Sequence, residues 1–240
     1  MNIKDKDAFF LELHRSVLNS DLSLENHTMM PRLGSMTASE LKTIIENYSC
    51  LSNRAIQFLA TALVYSQDWP NLYREIERNI EEEKGINTGG ISHLAMMRQG
   101  YKEDLGIDTS NIKPLKCTKL FLDDMNDTFL DSRLPFVAGA VLAFESAAVE
   151  EFKIVDNLIR QYLFLKGKRM GGLTESYING HKDFEVEHSS GLRKAIMSHM
   201  SGDDAHLIEW GFNTVCRDMT TWWHSLNYQV GKKYHRNKEK

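Results

Sequence analysis

Apolar residues recur at three- and four-residue spacings along nearly the whole chain, the period of helices packed on one face. Asp7–Asn19 carries Phe9, Leu11, Leu13, Val17 and Leu18 at this spacing and predicts a short first helix. Ser20–Ser35, with Pro31 and Gly34, reads as irregular. Thr37-x-x-Glu40 is a capping box opening a long amphipathic segment to about Gln67, where Asp68-Trp69-Pro70 breaks it. Pro70 suits the first turn of the next helix, Asn71–Glu83, because its missing N–H costs little there. Leu72, Ile76 and Ile80 form that helix's inward stripe, and Gly85 stops it. After the loop Ile86–Ile91, Ser92 caps a helix running to about Leu105. Gly106–Lys116 is a linker, and Cys117–Asp131 reads as another helix. Leu134–Leu165 is a long helix whose inward stripe is Val141, Glu145, Ala148, Phe152, Val155 and Ile159. Gly167–Thr174 turns the chain into a helical stretch holding Tyr177–Ser189, and Ser201-x-x-Asp204 opens a last helix to about Asn227. No alternation of β-branched residues bounded by turns predicts a strand. The pattern predicts an all-α chain forming one domain over 1–240, with about seven to eight helices. Within it, 1–35 is an N-terminal helix and irregular segment, and 229–240 is a flexible basic tail.

Composition narrows the function classes. With 240 residues, 42% of them hydrophobic, the chain can bury a substantial core. A net charge of −4 argues against a nucleic-acid binder, the short basic run Lys232–Lys240 being the one exception. The N-terminus lacks the apolar run of a secretory signal. The longest apolar run, Pro135–Phe144, is far short of the roughly 20 residues that cross a bilayer. Cys50, Cys117 and Cys216 are widely spaced and odd in number, forming neither a zinc pattern nor a disulfide framework. A reducing cytoplasmic setting is the expectation, with no membrane and no nucleic-acid partner.

Three features carry candidate chemistry. In Tyr177–Ser189, His181, Glu185 and His188 fall on one helical face, shared with Tyr177, Ile178, Phe184 and Leu192. Two imidazoles and a carboxylate on one stripe can bind a transition metal, and a solvated polar helix produces the same spacing. Glu145 sits in an apolar stripe with no Lys or Arg one turn away, so it needs a partner: a distant base, a hydrogen-bond network or a metal. Glu81-Glu82-Glu83 ends a helix where the macrodipole favours cations, and His93 opens the next one. A solvated acidic end and a packing histidine are the plainer readings of that pair.

The order of these residues resembles the haem-oxygenase-like di-iron oxidases, whose members include CADD-like proteins, an alkene-forming fatty-acid decarboxylase and several N-oxygenases. That family's pattern is a glutamate before a glycine turn, a histidine, a lone inward glutamate, and then H-x3-D-x2-H. Here it reads NIEEEKG with His93, AFESAAVEEF with Glu145, and HKDFEVEH with His181, Glu185 and His188. The resemblance covers roughly Thr37 to Asn227 and implies a haem-oxygenase-like helical bundle. It also implies two Fe ions (or Mn) held by Glu82, His93, Glu145, His181, Glu185 and His188, with Glu83 as the reserve for Glu82. O2 and a small organic substrate, such as a fatty acid or amino acid, are the implied reactants, and a homodimer the implied assembly. Two departures stand out: Glu185 replaces the more usual aspartate, and the loop before His93 is longer. The alternatives are a cofactor-free TenA/PqqC-like enzyme and a non-catalytic helical interaction protein with a degenerate site. A ferritin-like reading is disfavoured, because only one Glu-x-x-His motif, Glu185-x-x-His188, is present.

Overall fold

The computed structural model describes the backbone of residues 2–238 and the side chains of residues 2–232. Nine α-helices are present among the described residues: α1 Ile3–Leu18, α2 Ala38–Ser52, α3 Ala55–Tyr65, α4 Pro70–Glu83, α5 His93–Gly100, α6 Lys116–Phe129, α7 Leu134–Leu165, α8 Gly172–His199 and α9 Ala205–Lys238. Met30–Ser35 is a 3-10 helix, and α5 runs on through a π-helical turn, Tyr101–Leu105. No described residue is in a strand, so the all-α expectation holds. No helix among the described residues is long and apolar enough to cross a membrane.

The capping chemistry read from the sequence is in place. Thr37 and Glu40 close the predicted capping box of α2. Pro70 stands in the first turn of α4, and Ser92 Oγ accepts from the Ala95 N–H to cap α5. α1 starts earlier than predicted because Asn2 and Asp5 form a further capping box. The segment from Thr37 to Gln67 is two helices rather than one, divided at Asn53 and Arg54. Neither a proline nor a glycine causes that break. Asn53 ends α2, and its side-chain oxygen is taken by the Arg98 guanidinium of α5 at 2.7 Å.

α7 is the spine of the bundle. It packs against α9 along one side and α8 along the other, while α4 and α5 cover the far side of α8. Close approach of α7 and α9 depends on two glycines. A Cβ on Gly139 would strike the Ile208 carbonyl, and one on Gly211 would strike the Phe136 carbonyl. The core extends from this seam: Trp222 stacks on Phe121 with ring centroids 4.6 Å apart, and its indole N–H donates to Thr118 Oγ1 at 3.0 Å. Trp222, Trp223 and Phe212 are buried as expected for core aromatics, whereas Trp210 and Tyr228 are exposed. In α1, Phe10, Leu13 and Val17 are buried, while Leu11 and Leu18 face out. α9 continues past Asn227 to Lys238, through most of the stretch read as a basic tail. That tail's side chains from residue 233 onward lie outside the described residues.

Buried acids on α7 separate into two kinds. Glu150 accepts from Lys153 Nζ and the Leu24 N–H, and Asp156 accepts from Arg160 and Lys182. Glu145 and Glu151 have no Lys or Arg partner among the described residues, although both are almost wholly buried: Glu145 meets His188 and Glu151 the Trp223 indole. These two carboxyls point to chemistry beyond packing.

Candidate metal centre

His181, Glu185 and His188 lie on the buried face of α8 and are each at most 5% exposed. α7 brings Glu145 against them, and the end of α4 and the start of α5 supply Glu82, Glu83 and His93. Two sets of three result: Glu83, His93 and His181 form one, and Glu145, Glu185 and His188 the other. Within each set the candidate ligand atoms all lie within 4.8 Å of one another. In the first set Glu83 Oε1 is 3.0 Å from His93 Nδ1 and 3.5 Å from His181 Nε2. In the second, His188 Nδ1 is 3.1 Å from Glu145 Oε2 and 3.5 Å from Glu185 Oε2.

Each imidazole is oriented by a second partner behind it. His181 Nδ1–H donates to the Tyr177 carbonyl at 2.7 Å. His93 Nε2–H donates to Asn87 Oδ1 at 3.3 Å, and His188 Nε2–H donates to Glu82 Oε2 at 2.8 Å. This assignment leaves the opposite ring nitrogen of all three histidines facing the carboxylates. Outer hydrogen bonds of this kind fix tautomer and ring orientation in metal sites. Aromatic rings pack around the cluster: Phe152 stacks on His181 with centroids 4.3 Å apart, and Phe184 stacks on His93 at 5.3 Å.

Five of the six residues expected at the centre, His93, Glu145, His181, Glu185 and His188, fall into these two sets. Glu82 is the exception, because Glu83 joins His93 and His181 in its place. Consecutive residues on a helix point about 100° apart. Glu83 therefore faces the first histidine of α8, while Glu82 reaches the back of His188 and accepts from Arg78 at 2.5 Å through its other oxygen. Arg78 also binds Glu75. The loop after α4 makes the arrangement possible. Gly85 adopts φ +104°, a left-handed conformation, and a Cβ there would meet the Ile91 backbone at 2.5 Å. The same loop presents Asn87 to His93.

The electrostatics suit a bound cation. Burial pushes the Glu185 carboxyl well above its ordinary range, and the adjacent Glu145 carboxylate pushes it further. Its Oε2 is buried, and the nearest donor, His188 Nδ1, is 3.5 Å away. Burial opposes charge on His188, yet hydrogen bonds to Glu145 and Glu185 raise it to about 12. Burial also acts to raise Glu83, but His181 and His93 outweigh it and hold that carboxyl below the usual carboxylate range. Three carboxylates with three imidazoles suit a pair of divalent ions.

A cavity adjoins the centre. Its volume is about 50 Å³, and Glu83, His93, His181, Glu145 and Glu185 form one part of its wall. Tyr48, Phe152, Tyr177 and Glu151 form another. Glu151 escaped the sequence reading. Its only signal is a three-residue offset from Ala148 on the inward stripe, beside Glu150, which Lys153 and the Leu24 N–H hold.

Comparison with known proteins agrees with this architecture. A family model described as "Domain of Unknown Function with solved-structure structure (DUF3865)" matches residues 13–229. No curated protein matches the chain. A crystal structure of a CADD-like protein of unknown function from Nostoc punctiforme is 22% identical, with TM-score 0.88, over 95% of this chain and 99% of that one. A domain of unknown function with a haem-oxygenase-like fold from Shewanella denitrificans is 11% identical, with TM-score 0.67, over 97% of this chain and 95% of that one. A TenA homologue from Pyrococcus furiosus is 14% identical, with TM-score 0.65, over 91% of this chain and 99% of that one. The fold is haem-oxygenase-like, and the chain belongs to the DUF3865 family.

Proposed function

We propose that the protein is a non-haem di-iron oxidase or oxygenase acting on a small organic substrate. Glu83, His93 and His181 would hold one iron, and Glu145, Glu185 and His188 the other. When bound, the iron pair supplies O2 activation and oxidising equivalents. The chain's own residues prepare the site for it. Tyr177, Asn87 and Glu82 hold the three imidazoles in one tautomer each, so that no reorientation is needed on binding. Phe152, Phe184 and Phe144 keep bulk water from the cluster, and the cavity gives a substrate access to it.

The observation that carries this reading is the orientation of the three histidines: each outer nitrogen is bound, and each inner nitrogen meets a carboxylate. A cofactor-free enzyme has no use for two adjacent sets of this kind, and burying them without a cation is costly. The test is anaerobic loading with Fe(II) followed by exposure to O2. Loaded protein is expected to consume O2 in proportion to its iron, measured with an oxygen electrode. Protein that takes up iron and leaves O2 untouched contradicts the reading.

A further inference from the structure

The cavity wall carries carboxyls of two kinds. Glu83, Glu145 and Glu185 are already assigned to the candidate metal sets, whereas Glu151 belongs to neither. Glu151 lies six residues beyond Glu145 on α7, roughly 9 Å along the helix axis at 1.5 Å per residue. It is 2% exposed. Trp223 Nε1–H donates to its Oε1 at 2.6 Å. Its Oε2 accepts no hydrogen bond from the described residues, and the side chain lines the cavity. The same wall is aromatic: Tyr48 and Phe152 meet edge to face with centroids 6.2 Å apart, and Tyr177 packs on Phe152 at 5.6 Å, both of the latter rings also packing on His181. No Lys or Arg among the described residues lines the cavity.

These features select among substrate classes. A carboxylate placed beside Glu151 could be held only through a shared proton, because no described Lys or Arg lines the cavity to neutralise it. A purely apolar molecule would leave Oε2 buried and unpaired. A protonated amine satisfies both parts of the wall: its N–H groups make charge-assisted hydrogen bonds to the carboxylate, and its positive charge lies favourably against aromatic faces. We propose that the cavity recognises a small organic amine in its ammonium form, with the nitrogen held by Glu151 Oε2 and the opposite end of the molecule directed at the metal centre. The proposal deepens the oxidase reading and rests on it for the meaning of the cavity, but the binding itself is testable without turnover. Burial pushes the Glu151 carboxyl up to about 8, so an empty cavity keeps it largely uncharged at neutral pH, and a cation is the partner that draws out its charge.

The experiment titrates n-butylammonium, butan-1-ol and butyrate into the full chain by calorimetry, in metal-free form and in Fe(II)-loaded form under nitrogen. Iron content is measured separately, so failure to load iron counts against the oxidase reading alone. Wild-type protein is expected to bind the amine at least tenfold more tightly than the alcohol. Glu151→Gln, which keeps an acceptor for Trp223, is expected to erase that preference with iron content unchanged. Equal affinity for amine and alcohol in the wild type overturns the proposal, as does a preference that survives Glu151→Gln. If the variant does not fold, the wild-type indole N–H resonance of Trp223 serves instead. It should shift on addition of the amine and stay in place with the alcohol, and an unmoved resonance with saturating amine overturns the proposal.

Discussion

Glu82 Oε2 accepts from His188 Nε2 at 2.8 Å, while the other Glu82 oxygen is held by Arg78 at 2.5 Å. A chain of contacts thus runs from a partly exposed guanidinium to the buried centre. It fixes the His188 ring with Nδ1 toward Glu145 and Glu185. In the proposed centre Glu82 would act on a metal through the histidine, and Glu83 directly.

The two adjacent glutamates should therefore behave differently when truncated. Glu83→Ala is expected to lose one of two irons. Glu82→Ala is expected to keep both at a metal affinity lowered about 10–100-fold, the usual cost of removing an outer hydrogen-bond partner. A competition titration of Fe(II) against a chelator distinguishes them. If Glu82→Ala loses an iron and Glu83→Ala does not, the ligand roles are reversed.

Glu151 should leave a mark on stability as a function of pH. Its folded carboxyl keeps its proton up to about 8, against an ordinary value of 4.5. Between those values the folded state binds more protons than the unfolded one, so stability falls as pH rises. The stabilising contribution is complete below pH 4.5 and gone above about pH 8. Wild-type stability measured by urea denaturation is expected to drop relative to Glu151→Gln across that window, by on the order of 3–5 kcal/mol in total. A flat difference between the two proteins contradicts the placement of a proton on this group.

The α7–α9 seam gives a packing prediction. A Cβ on Gly139 meets the Ile208 backbone carbonyl, which has no flexible side chain to yield. Gly139→Ala is expected to destabilise by roughly 1–3 kcal/mol, as overpacked cores do. Gly34→Ala, where nothing lies within 4 Å, is the control and should change stability by less than about 0.5 kcal/mol. Thermal unfolding of both variants checks the pair.

Removal of metal should loosen one region selectively. Without cations the carboxylates around His188 rely on protons, and binding energy that orders the centre is lost. Chelator treatment of loaded protein is expected to raise amide exchange in α8 around 181–188, leaving the middle of α9 protected. Uniform exchange along both helices would argue that α8 does not depend on a bound ion. Hydrogen-exchange mass spectrometry resolves the two cases.

Much of the centre is legible in the residue pattern because its anomalies are large. Glu145 is a single carboxylate in an apolar stripe, and His181, Glu185 and His188 repeat at helical spacing among buried neighbours. The bounds of α7 follow from Pro135 near its start and the apolar run behind it. Other features depend on tertiary contacts that periodicity does not carry. Three consecutive glutamates end α4, and which of them meets His93 is set by how α5 docks through the Gly85 loop. The break at Asn53 has no proline or glycine to announce it and is tied by Arg98 from another helix. Glu151 is concealed beside Glu150 in sequence. Its partner Trp223 lies 72 residues away, and only the folded bundle shows that one acid faces Lys153 and the other the cavity.

The central claim is that two neighbouring sets of side chains each hold a metal ion. Iron content per chain after anaerobic loading, read together with the Mössbauer spectrum, tests it most directly on wild type, His181→Ala and Glu145→Ala. The account predicts two irons with the signature of a coupled pair in the wild type, and loss of the pair in both variants. Retention of two coupled irons in either variant would contradict it.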